Sequence, residues 1–135
     1  LAHICTDARK FGAGVALAIA TRWPEARRQY FASVSFALGS VQYVEVENGD
    51  LVIANMIAQH GVRSAANPHP IDYGALAICL ANVAQTAKDT GASVIMPKIG
   101  VGLAGGRWDF IEPIIKKELC ARDIAVTVYG LEIAP

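Results

Sequence analysis

Long apolar runs are missing from this 135-residue chain. The most hydrophobic stretch, Leu76–Ala84, is broken by Asn82, so no segment has the length of a membrane span. Cysteine is scarce: Cys5, Cys79 and Cys120 are odd in number and far apart, with neither zinc spacing nor a disulfide framework. They read as three small buried hydrophobes in a reducing compartment, which points to the cytoplasm. Net charge is absent too, since 12 basic residues balance 12 acidic ones. That balance excludes a broad electrostatic footprint for nucleic acid and points to a small-molecule partner. The 3 histidines, His3, His60 and His69, include no pair at ligand spacing, which argues against a metal site. There is no internal repeat, no low-complexity tract and no signal peptide, because the first residues already read as a strand. Leu1 stands where an initiating methionine would, so further sequence is expected upstream.

What remains is a globular composition, 53% hydrophobic, of a length suited to one domain with a single sizeable core. Leu1–Cys5 reads as a strand, Val15–Thr21 as a helix, and Pro24 opens a second helix through Phe31. Val41–Glu47 and Leu51–Ala58 are strands about an Asn48-Gly49 turn. Ile71–Thr90 is the longest helix, with Leu76, Leu80 and Val83 on one face and Gly91 as its stop. Ser93–Met96 is a strand, Trp108–Ala121 a helix and Ile124–Glu132 a final strand. Strands alternating with helices predict an α/β layered domain with a mixed sheet, the hairpin supplying its antiparallel part. Ligands of such sheets sit beyond the carboxyl ends of the strands. The loops Thr6–Gly14, Gln59–Pro70 and Ile99–Arg107 all follow strands, so all three can reach one crevice.

The run Met96-Pro-Lys-Ile-Gly-Val-Gly-Leu-Ala-Gly-Gly-Arg-Trp108 carries the most information. A strand leads into glycines, and the glycines lead into a helix. That arrangement suits an anion, because glycine brings backbone N–H groups close and the helix start adds a favourable dipole. No Gly-Lys-Ser/Thr follows, and no acidic residue ends a later strand at dinucleotide spacing, so neither standard phosphate motif is present. The same residues would also serve a plain strand-to-helix turn. Gly12-Ala-Gly14 repeats the arrangement, and two such loops in one small domain favour a diphosphate-bearing ligand. His60 is a candidate acid or base, or a structural histidine. Asp7 is a candidate for a ribose hydroxyl, or a capping aspartate. Trp108, beside the loop, is a candidate for ring stacking, or a helix-packing residue.

These residues resemble those of the macrodomain, a module that binds ADP-ribose and its derivatives. The resemblance rests on His3-Ile-Cys-Thr-Asp7 running into Phe11-Gly-Ala-Gly-Val-Ala16, on Val52-Ile-Ala-Asn-Met-Ile-Ala-Gln-His60, and on the Met96–Trp108 run, with Val126-Thr-Val-Tyr-Gly-Leu131 closing the domain. It is nearest the branch containing the terminal ADP-ribose protein glycohydrolases. It implies a three-layer α/β/α sandwich over residues 1–135 and no cofactor. The family's upstream strand, with its Gly-Asp, has no counterpart before Leu1. The resemblance further implies ligand contacts from Thr6, from Gly12, Ala13, Gly14 and Val15, and from Ile99, Gly100, Val101, Gly102, Leu103, Ala104 and Gly105. Tyr129 and Leu131 would lie near the nucleoside end. Asp7, Gln59 and His60 are the candidates at the reacting end. Gln59 stands where the glycohydrolase branch has a catalytic lysine, and Ala104 where it has an aspartate. A lysine adduct is therefore not expected; a water held by ligand phosphate and backbone groups is the alternative route. The implied activity is removal of ADP-ribose from a modified macromolecule. The alternatives are a non-catalytic binding module and an ADP-ribose 1″-phosphate phosphatase.

Overall fold

A computed structural model of the chain describes residues 1–129. Its strands are β1 (Ala2–Thr6), β2 (Val41–Val46), β3 (Leu51–Gln59), β4 (Val94–Met96) and β5 (Val126–Val128). Its helices are α1 (Gly14–Arg22), α2 (Pro24–Ala32), α3 (Tyr73–Thr90) and α4 (Trp108–Glu118). β3 is the centre of one sheet, parallel to β1 and antiparallel to β2, while β4 and β5 form a second, parallel pair with β4 beside β1.

The alternation of side chains along β3 builds the layers. Ile53 and Ile57 join Cys5, Ile19, Ala26 and Tyr30 in a core beneath α1 and α2. Ala54, Met56 and Ala58 face the other way, into a core with Leu76, Leu80, Ile111 and Ile115 of α3 and α4. Helices therefore cover both faces of a mixed sheet, which is the α/β sandwich expected.

Several boundaries differ from the sequence reading. α3 starts two residues later than expected, because Asp72 is its cap: the Asp72 Oδ1 accepts a hydrogen bond from Ala75 N–H at 2.8 Å. Ile71 instead extends β3's edge, its N–H donating to the Ala104 carbonyl. α4 ends at Glu118 and passes into a 3₁₀ turn at Cys120–Arg122, closed by Asp123 in the left-handed region. The last strand is shorter than Ile124–Glu132; Ile124 still bonds to the Leu119 carbonyl, and residues 130–132 lie outside the described residues. Cys5 and Cys79 are buried, but Cys120 is exposed because that turn faces solvent, which corrects the expectation for this cysteine. No helix among the described residues is long and apolar enough to cross a membrane.

Candidate functional site

The carboxyl ends of β1, β3 and β4 open on one cleft of about 850 Å³. All three loops expected there contribute: the segment after β1, the start of the segment after β3 and the glycine loop after β4. Thr6, Gln59, Gly12 to Val15 and Ile99 to Ala104 line it.

Two stretches of backbone in this lining leave their N–H groups free. α1 begins at Gly14 behind Ala13, with no side-chain cap and no acid in its first turn. Its first intrahelical bond runs from Leu17 N–H to the Ala13 carbonyl, so the N–H groups of Gly12 to Ala16 have no partner among the described residues. In the glycine loop, Gly105 N–H returns to the Gly102 carbonyl and Gly106 N–H to the Gly100 carbonyl. The N–H groups of Gly100 to Ala104 likewise have no partner among the described residues. The two stretches meet where Leu103 lies against Gly14: a Cβ on Gly14 would sit 3.1 Å from the Leu103 Cδ1. Free N–H groups at a helix start and in a glycine turn make an anion-binding concavity.

The glycines divide by what holds them. Gly100 and Gly105 have φ of 81° and 69°, and a Cβ on either would collide with Ile111 and Ile71, or with the Pro68 carbonyl. These positions are glycine for the fold. Gly12 and Gly102 have ordinary φ, and a Cβ on either would meet nothing within 4 Å. Both line the cleft, so open space there, not backbone strain, is what glycine preserves.

Arg9, Lys10, Arg27, Arg63 and Lys98 also line the cleft, and no carboxylate does. None of these five cations has a carboxylate partner among the described residues. Elsewhere Arg22, Arg28, Arg107, Lys116 and Arg122 are paired, while Lys88 and Lys117 have no carboxylate partner among the described residues. A chain of zero net charge thus concentrates unneutralised positive charge around this cleft. Sequence reasoning missed this wall. Its members come from four separate segments, and only the fold gathers them.

The candidates at the reacting end fall in two places. The bulge between Cys5 and Thr6 sets Thr6 beside Gln59. Both side chains are turned onto one acceptor, the Gly61 carbonyl: the Thr6 hydroxyl donates to it, and the Gln59 Nε2 does so at 3.1 Å. Asp7 and His60 do not line the cleft. They brace the loops behind it, with Asp7 Oδ2 2.7 Å from His60 Nδ1 and Asp7 Oδ1 accepting from Gly61 N–H at 2.8 Å. The Asp7 carboxylate raises the pKa of His60 through this hydrogen bond and its charge. His3 lies in the cleft floor, fully buried, with Nε2 2.6 Å from Asn55 Oδ1. Burial lowers its pKa to about 4, so it is neutral at physiological pH. Gly105 sits behind the loop, its carbonyl accepting from His69 Nδ1 at 2.8 Å. Ala104 is buried. Trp108 does not line the cleft; it packs against the α3–α4 core and its Nε1 donates to Glu112 at 3.2 Å. Tyr129 follows β5, its N–H donating to the Met96 carbonyl at 2.8 Å, and does not line the cleft; Leu131 lies outside the described residues.

The fold and site define an α/β domain with a cation-lined cleft at the strand ends. A macrodomain protein of Streptomyces coelicolor is 41% identical, matching 95% of this chain and 84% of its own with a TM-score of 0.80. A Bacteroides thetaiotaomicron protein described as of unknown function is 46% identical over 96% of this chain and 85% of its own, with a TM-score of 0.87. DarTG of Thermosipho africanus, solved with ADP-ribose, superposes with a TM-score of 0.77 over 96% of this chain and 37% of that one; at 15% identity the likeness is of fold alone. No family model matches the sequence. At the identity and coverage of the Streptomyces protein, this chain belongs to the macrodomain family.

Proposed function

We propose that this macrodomain binds ADP-ribose and hydrolyses ADP-ribosyl derivatives, freeing ADP-ribose from modified macromolecules in the cytoplasm, where its three free cysteines stay reduced. The reading places it nearest the terminal ADP-ribose glycohydrolase branch. One observation carries it: two stretches of backbone N–H without a partner among the described residues, at Gly12–Ala16 and Gly100–Ala104, line a single cleft whose charged lining residues are all cations. A diphosphate is the ligand such a pair of cradles fits, and Gly12 and Gly102 keep room for it. The Thermosipho protein's complex with ADP-ribose supports the choice of ligand.

The chemistry follows from what the lining holds. Gln59 cannot form a lysine-type adduct, and its amide is already engaged with Gly61. Ala104 offers no carboxylate. Hydrolysis therefore rests on positioning: a water held between a ligand phosphate and backbone groups adds its oxygen to the anomeric carbon of the distal ribose. A phosphate oxygen takes its proton, and the bond from the anomeric carbon to the acceptor atom breaks, its electron pair leaving with the acceptor. Catalysis by placement tolerates a cleft without a carboxylate.

A second reading, binding without turnover, is favoured by one feature: no carboxylate lines the cleft, and His3 is neutral and bonded to Asn55. A single-turnover assay with ADP-ribosylated substrate separates the two. Release of free ADP-ribose supports hydrolysis. Micromolar binding with no release refutes it, and comparable affinity for ATP and ADP-ribose refutes the ligand assignment.

A further inference from the structure

The glycine loop offers the cleft one edge of its backbone, and its other edge is tied down. The carbonyls of Gly100, Gly102, Ala104 and Gly105 all accept hydrogen bonds, while the N–H groups of Gly100 to Ala104 have no partner among the described residues. The two facts are linked through the planar trans peptide. The C=O of one residue and the N–H of the next share a plane and point opposite ways. Fixing a carbonyl therefore aims the N–H that follows it.

Two relays of this kind run through the loop. The first starts at Ile71, whose N–H donates to the Ala104 carbonyl at 2.9 Å. The Gly105 N–H of that peptide then reaches the Gly102 carbonyl at 3.0 Å, which turns the Leu103 N–H the other way. The Arg63 Nη1 adds a second donor to Gly102, at 3.4 Å. The second relay starts at His69, whose Nδ1 donates to the Gly105 carbonyl at 2.8 Å. The Gly106 N–H then reaches the Gly100 carbonyl at 2.6 Å, which turns the Val101 N–H the other way. Each relay ends on an N–H of the free stretch that lines the cleft. They differ in origin. The first begins from main chain, the second from an exposed imidazole that does not line the cleft.

The local sequence keeps that ring in place. Pro68 and Pro70 flank His69; each fixes its own φ, and Pro70 also restricts the backbone of His69. Pro70 is buried, its carbonyl accepting from His60 N–H at 2.8 Å. The main chain of Pro68 and His69 packs directly against Gly105. Because the acceptor is a carbonyl, the His69 Nδ1 carries the hydrogen. An exposed hydrogen bond of this kind contributes little to folding, since water competes for both partners. What it supplies is an orientation.

We propose that His69 is a positioning residue for the anion cradle: by holding the Gly105–Gly106 peptide it aims the Val101 N–H at the ligand's phosphate without touching the ligand. The proposal rests on the ADP-ribose reading of the cleft.

The test combines calorimetry with ADP-ribose, amide hydrogen exchange and urea unfolding on the full chain. His69→Ala should bind ADP-ribose about tenfold more weakly, the scale of one hydrogen bond to a charged group, with the urea midpoint of the parent. Its Gly106 amide should exchange faster, while the Gly105 amide, which belongs to the other relay, keeps the parent rate. His69→Asn places an uncharged amide nitrogen where Nδ1 stands along the side chain. It should restore the Gly106 rate and bring affinity to within about twofold of the parent. Unchanged affinity or an unchanged Gly106 rate in His69→Ala overturns the proposal. So does an Asn variant as weak as the Ala variant, which would make the ring or its charge the cause. A lower urea midpoint with Gly105 and Gly106 both exchanging faster overturns it as well, because the loss is then one of folding. A parent that does not bind ADP-ribose refutes the reading of the cleft instead, and the Gly106 rates then uphold or overturn the brace by themselves.

Discussion

Gly102 and Gly105 lie three residues apart in one loop, yet their substitutions should fail in opposite ways. At Gly105 φ is 69°, and a Cβ would strike the Pro68 carbonyl and come within 3.0 Å of the His69 Cα. The left-handed backbone costs an L-residue about 1–2 kcal/mol. The collision is with main chain that cannot swing aside, so Gly105→Ala should lose about 2–4 kcal/mol of stability in all. At Gly102 a new side chain meets nothing within 4 Å. Gly102→Glu should therefore unfold within about 0.5 kcal/mol of the parent. Its carboxylate would instead enter the space proposed for the diphosphate. Two like charges ~4 Å apart repel by ~4 kcal/mol at the effective dielectric of a protein surface. Water and salt reduce that figure, leaving a loss of ADP-ribose affinity on the order of a hundredfold. Urea denaturation and calorimetric titration of the same two variants give both quantities. A Gly102→Glu protein that binds ADP-ribose like the parent would refute the placement of the ligand. Equal destabilisation by both substitutions would refute the division of the glycines into those the fold needs and those the cleft needs.

Other expectations concern groups around the cleft. Burial holds the His3 pKa at about 4 against an ordinary value of 6.5, so the unfolded chain binds the extra proton first as pH falls. Stability should then drop between pH ~6.5 and ~4, by about 3 kcal/mol from this group, as read from urea midpoints across that range. Asp7 raises the pKa of His60, so the pair's contribution is complete below the ordinary histidine value and is lost as pH rises through the folded-state value. An NMR titration should show His60 titrating above the ordinary value in the parent and returning toward it in Asp7→Asn. Asp72→Ala removes the cap of α3 and should cost about 1 kcal/mol in thermal or chemical unfolding, without changing ADP-ribose affinity. An unchanged stability would mean that the Ala75 N–H finds another acceptor.

The layers of the fold were legible because they depend on periodicity. β3 alternates between two cores, and Leu76, Leu80 and Val83 mark one face of α3, whichever residue each element starts on. The glycine loops were legible as well, since Gly12–Gly14 and Gly100–Gly106 precede helices in a pattern that chain order alone displays. What each glycine does was not legible. Gly102 and Gly105 look alike in sequence, and only the backbone angle and the neighbouring Pro68–His69 segment tell them apart. The pairing of Asp7 with His60 spans 53 residues and was out of reach for the same reason. The positive wall was the largest omission. Whole-chain charge is zero, and the balance conceals that five cations outside the cleft pair with acids while the five that line it have no carboxylate partner among the described residues.

α3 carries its own cap in Asp72, whereas α1 starts at Gly14 with no capping side chain and no acid in its first turn. An anion seated on Gly12–Ala16 does for α1 what Asp72 does for α3. Ligand occupancy should then steady the first turn of α1, with the amide hydrogens there exchanging more slowly when the cleft is filled than when it is empty. Amide hydrogen exchange at Val15 and Ala16 would report occupancy directly, with no need for a chemical step to occur.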